Sequence, residues 1–211
     1  EHENTVHYMQ DYQRLLPELR FAFSCGRDNM LANFLAMKGM TANFMRMNID
    51  TDTVTGLNIR GGVYGFQKGD LNLDTIRILT RQENDRIRYY ARVRSTALNP
   101  QNEKQSYNAM LYGNLINDSL TTNFVFRDKN EEAAVKIGAT TILKPHGLDM
   151  RFNPDAVLLA EPFRFNEGNH INIGKGLSVD AELTLSDNHG SGLHLHAAPE
   201  EGDWQNASAT F

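Results

Sequence analysis

The sequence predicts a mainly β protein, an antiparallel meander with one or two short N-terminal helices. Three observations carry the meander. Apolar residues change from helical spacing to strict alternation after Gly39, turn residues separate the alternating runs, and no strand–helix–strand pattern follows.

From Val6 to Leu19, the apolar positions Tyr8, Tyr12, Leu15, Leu16 and Leu19 form one helical stripe, which Pro17 ends near Leu16. Leu19 to Phe23 alternates as a strand. Asp28 or Asn29 then caps a second helix with a face of Leu31, Phe34, Leu35 and the Lys38 stem, and Gly39 closes it. In the run from Ile87 to Arg94, Ile87, Tyr89, Ala91 and Val93 share one face, while Arg88, Arg92 and Arg94 share the other. The same alternation recurs in Leu111, Gly113 and Leu115; in Leu120, Thr122, Phe124 and Phe126; and in Ala133, Val135, Ile137 and Ala139. It continues through Leu148, Met150 and Phe152, then from Leu177 to Leu185, and ends at Leu193, Leu195 and Ala197. Asn117-Asp118, Asp128 to Asn130, Pro145 to Gly147 and Asp187 to Gly190 supply the turns. This organisation gives residues 1–39 as a helical segment packed on the sheet and residues 40–211 as the antiparallel β domain. With Glu1 in first place and no signal segment, the chain reads as one structural unit of something longer.

Composition excludes several classes. The chain has 211 residues, a formal charge of −5, 40% hydrophobic residues and no apolar run of membrane-spanning length. The net charge argues against duplex nucleic acid as a partner. The lone Cys25 makes no internal disulfide and leaves no thiolate cluster for zinc.

Candidate chemistry is sparse. His194 and His196 share a strand face, with His189 and Glu200-Glu201 near in sequence, which is a conceivable metal pair but also an ordinary wet face. Cys25 beside Gly26 and Arg27 could be an activated thiol, yet no histidine is placed to serve it, so a small buried hydrophobe is the simpler reading. Asp50 to Gly56 begins like a calcium loop, but Val54 stands at a ligand position and the glycine comes one place late. Gly61-Gly62 with Gly65, and Gly174-Lys175-Gly176, lack the strand-to-helix setting of phosphate loops. The sequons at Asn117 and Asn206 matter only in a eukaryotic secretory pathway. Tyr89, Tyr90 and the nearby arginines could stack single-stranded nucleic acid, against which the acidic balance weighs. The expectation is therefore a protein that is not an enzyme and needs neither cofactor nor metal. The repeated apolar face is either the closed core of a sandwich or the lining of a groove open to an apolar ligand. A closed sandwich would suit a glycan-binding module, with Trp204, Tyr90 and Tyr112 as stacking residues.

The stretch from Leu158 through Glu161-Pro162-Phe163-Arg164-Phe165-Asn166-Glu167-Gly168-Asn169-His170 to Gly174, running into Leu177 to Ser186, resembles the TamB family of AsmA-like envelope proteins of diderm bacteria. The steps Leu15 to Leu19, Gly56 to Gly62 and Gly69 to Leu73, with the short helix from Asn29 to Met37, are similar to that architecture. The resemblance implies a β-taco or partly open groove in the periplasm, within a parent chain anchored in the inner membrane, that moves phospholipid and supports outer-membrane assembly. Its partners would be phospholipid acyl chains and, through parts outside these residues, an outer-membrane barrel; nucleic acid is not expected. The terminal segment that engages the barrel in that family has no counterpart here. The implied groove lining comprises Val93, Leu111, Leu115, Phe124, Phe126, Val135, Ile137, Leu148, Phe152, Val179, Leu183 and Leu185.

Overall fold

The computed structural model describes residues 13–96, 106–198 and 208–210. They form sixteen strands, one complete α-helix, a 3-10 turn at Lys175–Leu177 and a helical stub at residues 13–15. The mainly β expectation and its meander are therefore observed. The rest of the expected first helix lies outside the described residues, as do Trp204, Asn206 and Glu200-Glu201.

The chain divides into two compact units, residues 1–117 with 126–132, and residues 118–125 with 133–211. Gly39 is not the dividing point. The described part of residues 1–39 belongs to the first unit, to which it contributes a strand and a short helix.

In the first unit, β1 (Leu19–Cys25), β3 (Phe44–Asp52), β4 (Gly56–Lys68), β5 (Leu71–Glu83), β6 (Arg86–Ser95) and β7 (Tyr107–Ile116) pair antiparallel in that order. The two-residue β2 (Met40–Thr41) pairs with the far end of β4. Helix α1 (Met30–Met37) starts where the sequence predicts. Asn29 Oδ1 accepts from the Ala32 amide at 3.0 Å, and Gly39 ends the helix at φ +68°, a conformation that costs glycine little. The expected buried face of α1 is not observed, since none of its residues is buried and Phe34 is 53% exposed.

β8 (Ser119–Arg127) is shared in sequence between the units. The second unit continues with β9 (Ala133–Lys144), β10 (Gly147–Phe152), β11 (Asp155–Leu158), β12 (Glu161–Phe165), β13 (His170–Ile173), β14 (Val179–Asp187), β15 (Gly192–Ala197) and β16 (Ser208–Thr210). β10 and β11 both pair with β9, and β12 and β13 both pair with β14. Each of these two sequential pairs is one long meander strand interrupted by a bend, at residues 153–154 and 166–169.

Asparagine side chains hold the bends. Asn169, almost fully buried, accepts from the Phe152 amide at 2.6 Å and donates to the Phe152 and Asn166 carbonyls. Asn166 Oδ1 accepts from the Thr184 amide at 2.9 Å. Backbone groups that a bend would orphan are thus satisfied, as burial requires. The core of the second unit is Ala156, Phe165, Leu183 and Leu185, with Ile137, Phe152, Leu158, Phe163 and Leu195 packed around it and the Phe152 and Phe165 rings stacked at 4.7 Å.

Candidate functional site

Directly opposed residues of an antiparallel pair point to the same side of a sheet, so the register assigns each face. In the first unit, Phe23, Met47, Gly61, Ile78, Ala91 and Leu111 form one continuous row across β1, β3, β4, β5, β6 and β7. The next row is Phe21, Ile49, Ile59, Thr80, Tyr89 and Gly113, and on the other side lies Cys25, Met45, Val63, Ile76, Val93 and Ala109. This face is apolar over six strands. β-Branched and long apolar residues at every second position both favour the strand and build the face.

Little covers it. Phe21 is 48% exposed, Ile78 45% and Leu111 40%, and Met47 and Leu19 are also exposed. Leu79, adjacent to Ile78 on the opposite face, is 42% exposed, so β5 is open on both sides at its centre. Buried side chains in this unit are largely polar and bonded to backbone: Thr51 Oγ1 donates to the Pro17 carbonyl at 2.6 Å, Ser95 Oγ to the Asn72 carbonyl at 2.6 Å, and Gln82 Oε1 accepts from the Leu57 amide at 3.0 Å.

The residues expected to line a groove fall in different settings. Val93 and Leu115 are half-buried and Leu111 exposed on the open face of the first unit. Phe126 is half-buried and stacks on Tyr107 at 6.2 Å. Phe124 is exposed, while its neighbour Val125 on the other side of β8 is buried. Val135, Leu148 and Val179 are half-buried in the second unit. Leu183 and Leu185 are each 7% exposed in its core, and Ile137 and Phe152 pack against them from the edge of that cluster. A lining of twelve equivalent positions is corrected accordingly: Leu183 and Leu185 are closed core. Phe21, Met47 and Ile78 stand outside that expected lining yet belong to the open face, and the alternation of Met45, Met47 and Ile49 is the sequence signal for it.

The other candidates resolve into structural roles. Cys25, half-buried, stands opposite Met45 on the apolar face. Asp52 closes the β3–β4 turn: the Thr55 hydroxyl and the Thr55 and Val54 amides bond its carboxylate and hold it below its ordinary range. Gly176 at φ +73° sits in the 3-10 turn. His194 Nε2 lies 2.8 Å from Glu182 Oε1 and His196 Nδ1 lies 2.8 Å from Glu182 Oε2, so one carboxylate holds both imidazoles. Those two bonds, His194 first, lower the Glu182 carboxyl from its ordinary value. Among the described residues, no group of three such side chains is placed to hold a metal ion.

Comparison with family models, curated proteins and solved structures finds no match to this chain. No helix among the described residues is long and apolar enough to cross a membrane.

Proposed function

We propose that the chain is a non-enzymatic, periplasmic lipid-conduit or scaffold segment of a TamB-like envelope protein, with its parent anchored in the inner membrane. In this reading it supports phospholipid transport and outer-membrane assembly. The supporting observation is the open apolar face of the first unit, where Phe21, Met47, Ile78 and Leu111 stand partly exposed on four different strands. Such a face can shield hydrocarbon from water at about 0.8 kcal/mol per methylene removed, and it needs no specific head-group bond to do so. The envelope assignment rests on the resemblance of the stretch from Leu158 to Ser186 to that family.

Native mass spectrometry of protein purified gently from a diderm periplasm, with solvent extraction of the same sample, tests the reading. Bound phospholipid that is lost in Ile78→Asp and Leu111→Asp variants of unchanged circular dichroism is the expected result. An apo mass with no uptake of added lipid overturns it. Saturable glycan binding through Tyr90 and Tyr112, which oppose each other across β6 and β7, would instead favour a carbohydrate module.

A further inference from the structure

The face of the first unit opposite the apolar one is an arginine surface. Register places Arg20, Arg46, Arg60, Arg77, Arg81, Arg86, Arg88, Arg92 and Arg94 on it, from five neighbouring strands. The carboxylates on the same side are Asp50, Asp52 and Glu83. Seven of the nine arginines are exposed, and Arg86 and Arg92 are half-buried. Among the described residues, carboxylate ion pairs on this face engage only Arg81 and Arg88, both with Glu83 at 3.4 and 3.5 Å. Nine cations against three anions make this face strongly positive within a chain of net charge −5.

We propose that this face docks on an anionic phospholipid surface. Every cation named is arginine, whose planar fork matches phosphate oxygens in pairs. The charges spread in two dimensions over five strands, whereas a linear polyanion calls for a track. Between them stand Leu79, Tyr112 and Phe44, each about two-fifths exposed, apolar or amphipathic groups of the kind that settle at a bilayer interface. Arg46 at 5.7 Å and Arg77 at 6.0 Å cover the Tyr64 ring and so keep it from stacking on a base. The proposal uses the side of the sheet away from the lipid-conduit face and does not rest on that reading.

Cosedimentation of the full chain with vesicles tests it. Partition into mixed phosphatidylcholine–phosphatidylglycerol vesicles that weakens with added salt, and is absent with pure phosphatidylcholine, is expected. Each lost arginine should lower partition about fivefold, so Arg60→Glu, Arg77→Glu and Arg94→Glu together should lower it by on the order of a hundredfold or more. The corresponding triple lysine variant, which keeps the charge and loses the fork, should bind more weakly than the parent and more tightly than the glutamate triple, and if the glutamate triple fails to fold, the single Arg60→Glu variant carries the same comparison. Equal partition into neutral vesicles, or none into anionic ones, overturns the proposal. So does tighter binding of an oligodeoxythymidylate by the same face, which would make it a nucleic-acid surface. Lipid retained by the apolar face in native mass spectrometry should not change in the arginine variants, so the two readings fail separately.

Discussion

The two units are written in the same alternating pattern and bury different things. In the first, the buried side chains are mainly Thr51, Gln82, Ser95, Ser106 and Asn108, with Ala42 and Leu73 as the apolar ones. In the second they are mainly Val125, Ala156, Phe165, Ala181, Leu183, Leu185 and Ala197. One unit is held by its hydrogen-bonded sheet and keeps an apolar face open; the other closes its apolar face on itself. Alternation states which residues share a side, and the partner across that side decides whether it becomes core or surface.

Placing the same charge on both faces breaks this comparison most sharply. Leu185→Asp puts a carboxylate into a closed core and should cost about 4 kcal/mol or more, enough to unfold the second unit in a denaturant titration. Ile78→Asp, at a position 45% exposed, should cost less than about 1 kcal/mol. Equal costs would show that both faces are core.

Gly147→Ala should be nearly as damaging in the second unit. A Cβ there would lie 1.9 Å from the Ile173 carbonyl oxygen, a backbone atom that can move only by parting β10 from β13. A loss of about 2–3 kcal/mol in thermal unfolding is expected. Its counterpart in the first unit, Gly61→Ala, would meet nothing closer than 3.8 Å and should be nearly silent.

Asn169→Ala removes the bonds to both backbone groups of Phe152 and should cost about 1–3 kcal/mol, with faster amide exchange at Phe152. Unchanged exchange there would mean that the bend holds without its asparagine.

The smallest effect concerns pH. Glu182 has a depressed carboxyl in the folded state, so its contribution to stability is present above its unfolded value and is lost as pH falls through the folded one. The thermal midpoint should therefore drop as pH goes below about 4.3, and Glu182→Gln should flatten that part of the profile. A variant profile identical to the parent would remove Glu182 from the acid response.

Much of the fold was legible in the residues. Asn29 and Gly39 announce the ends of α1, and the polar and apolar faces of β6 are apparent from Ile87 to Arg94. The distinction between open and closed faces was not, because Ile76-Arg77-Ile78 and Leu183-Thr184-Leu185 alternate alike. The arginine surface was hidden for another reason. Each strand contributes one to four arginines, and only cross-strand register gathers them, while the net charge averages them against acids elsewhere. Glu182 was likewise invisible beside His194 and His196, since it arrives from the neighbouring strand. Asn166 and Asn169 read as loop composition, and their partners Thr184 and Phe152 are 18 and 17 residues away.

Those two asparagines also bear on how the chain finds its alignment. In a meander with a side-chain period of two, a slip of one residue exposes the apolar set, but a slip of two leaves every face intact and goes unpunished by hydrophobic burial. Asn169 can reach the amide and carbonyl of Phe152 in one alignment only, and Asn166 the Thr184 amide in the same one. The interruptions thus act as indexing pins, giving a repetitive sheet a zero point that its hydrophobic pattern lacks.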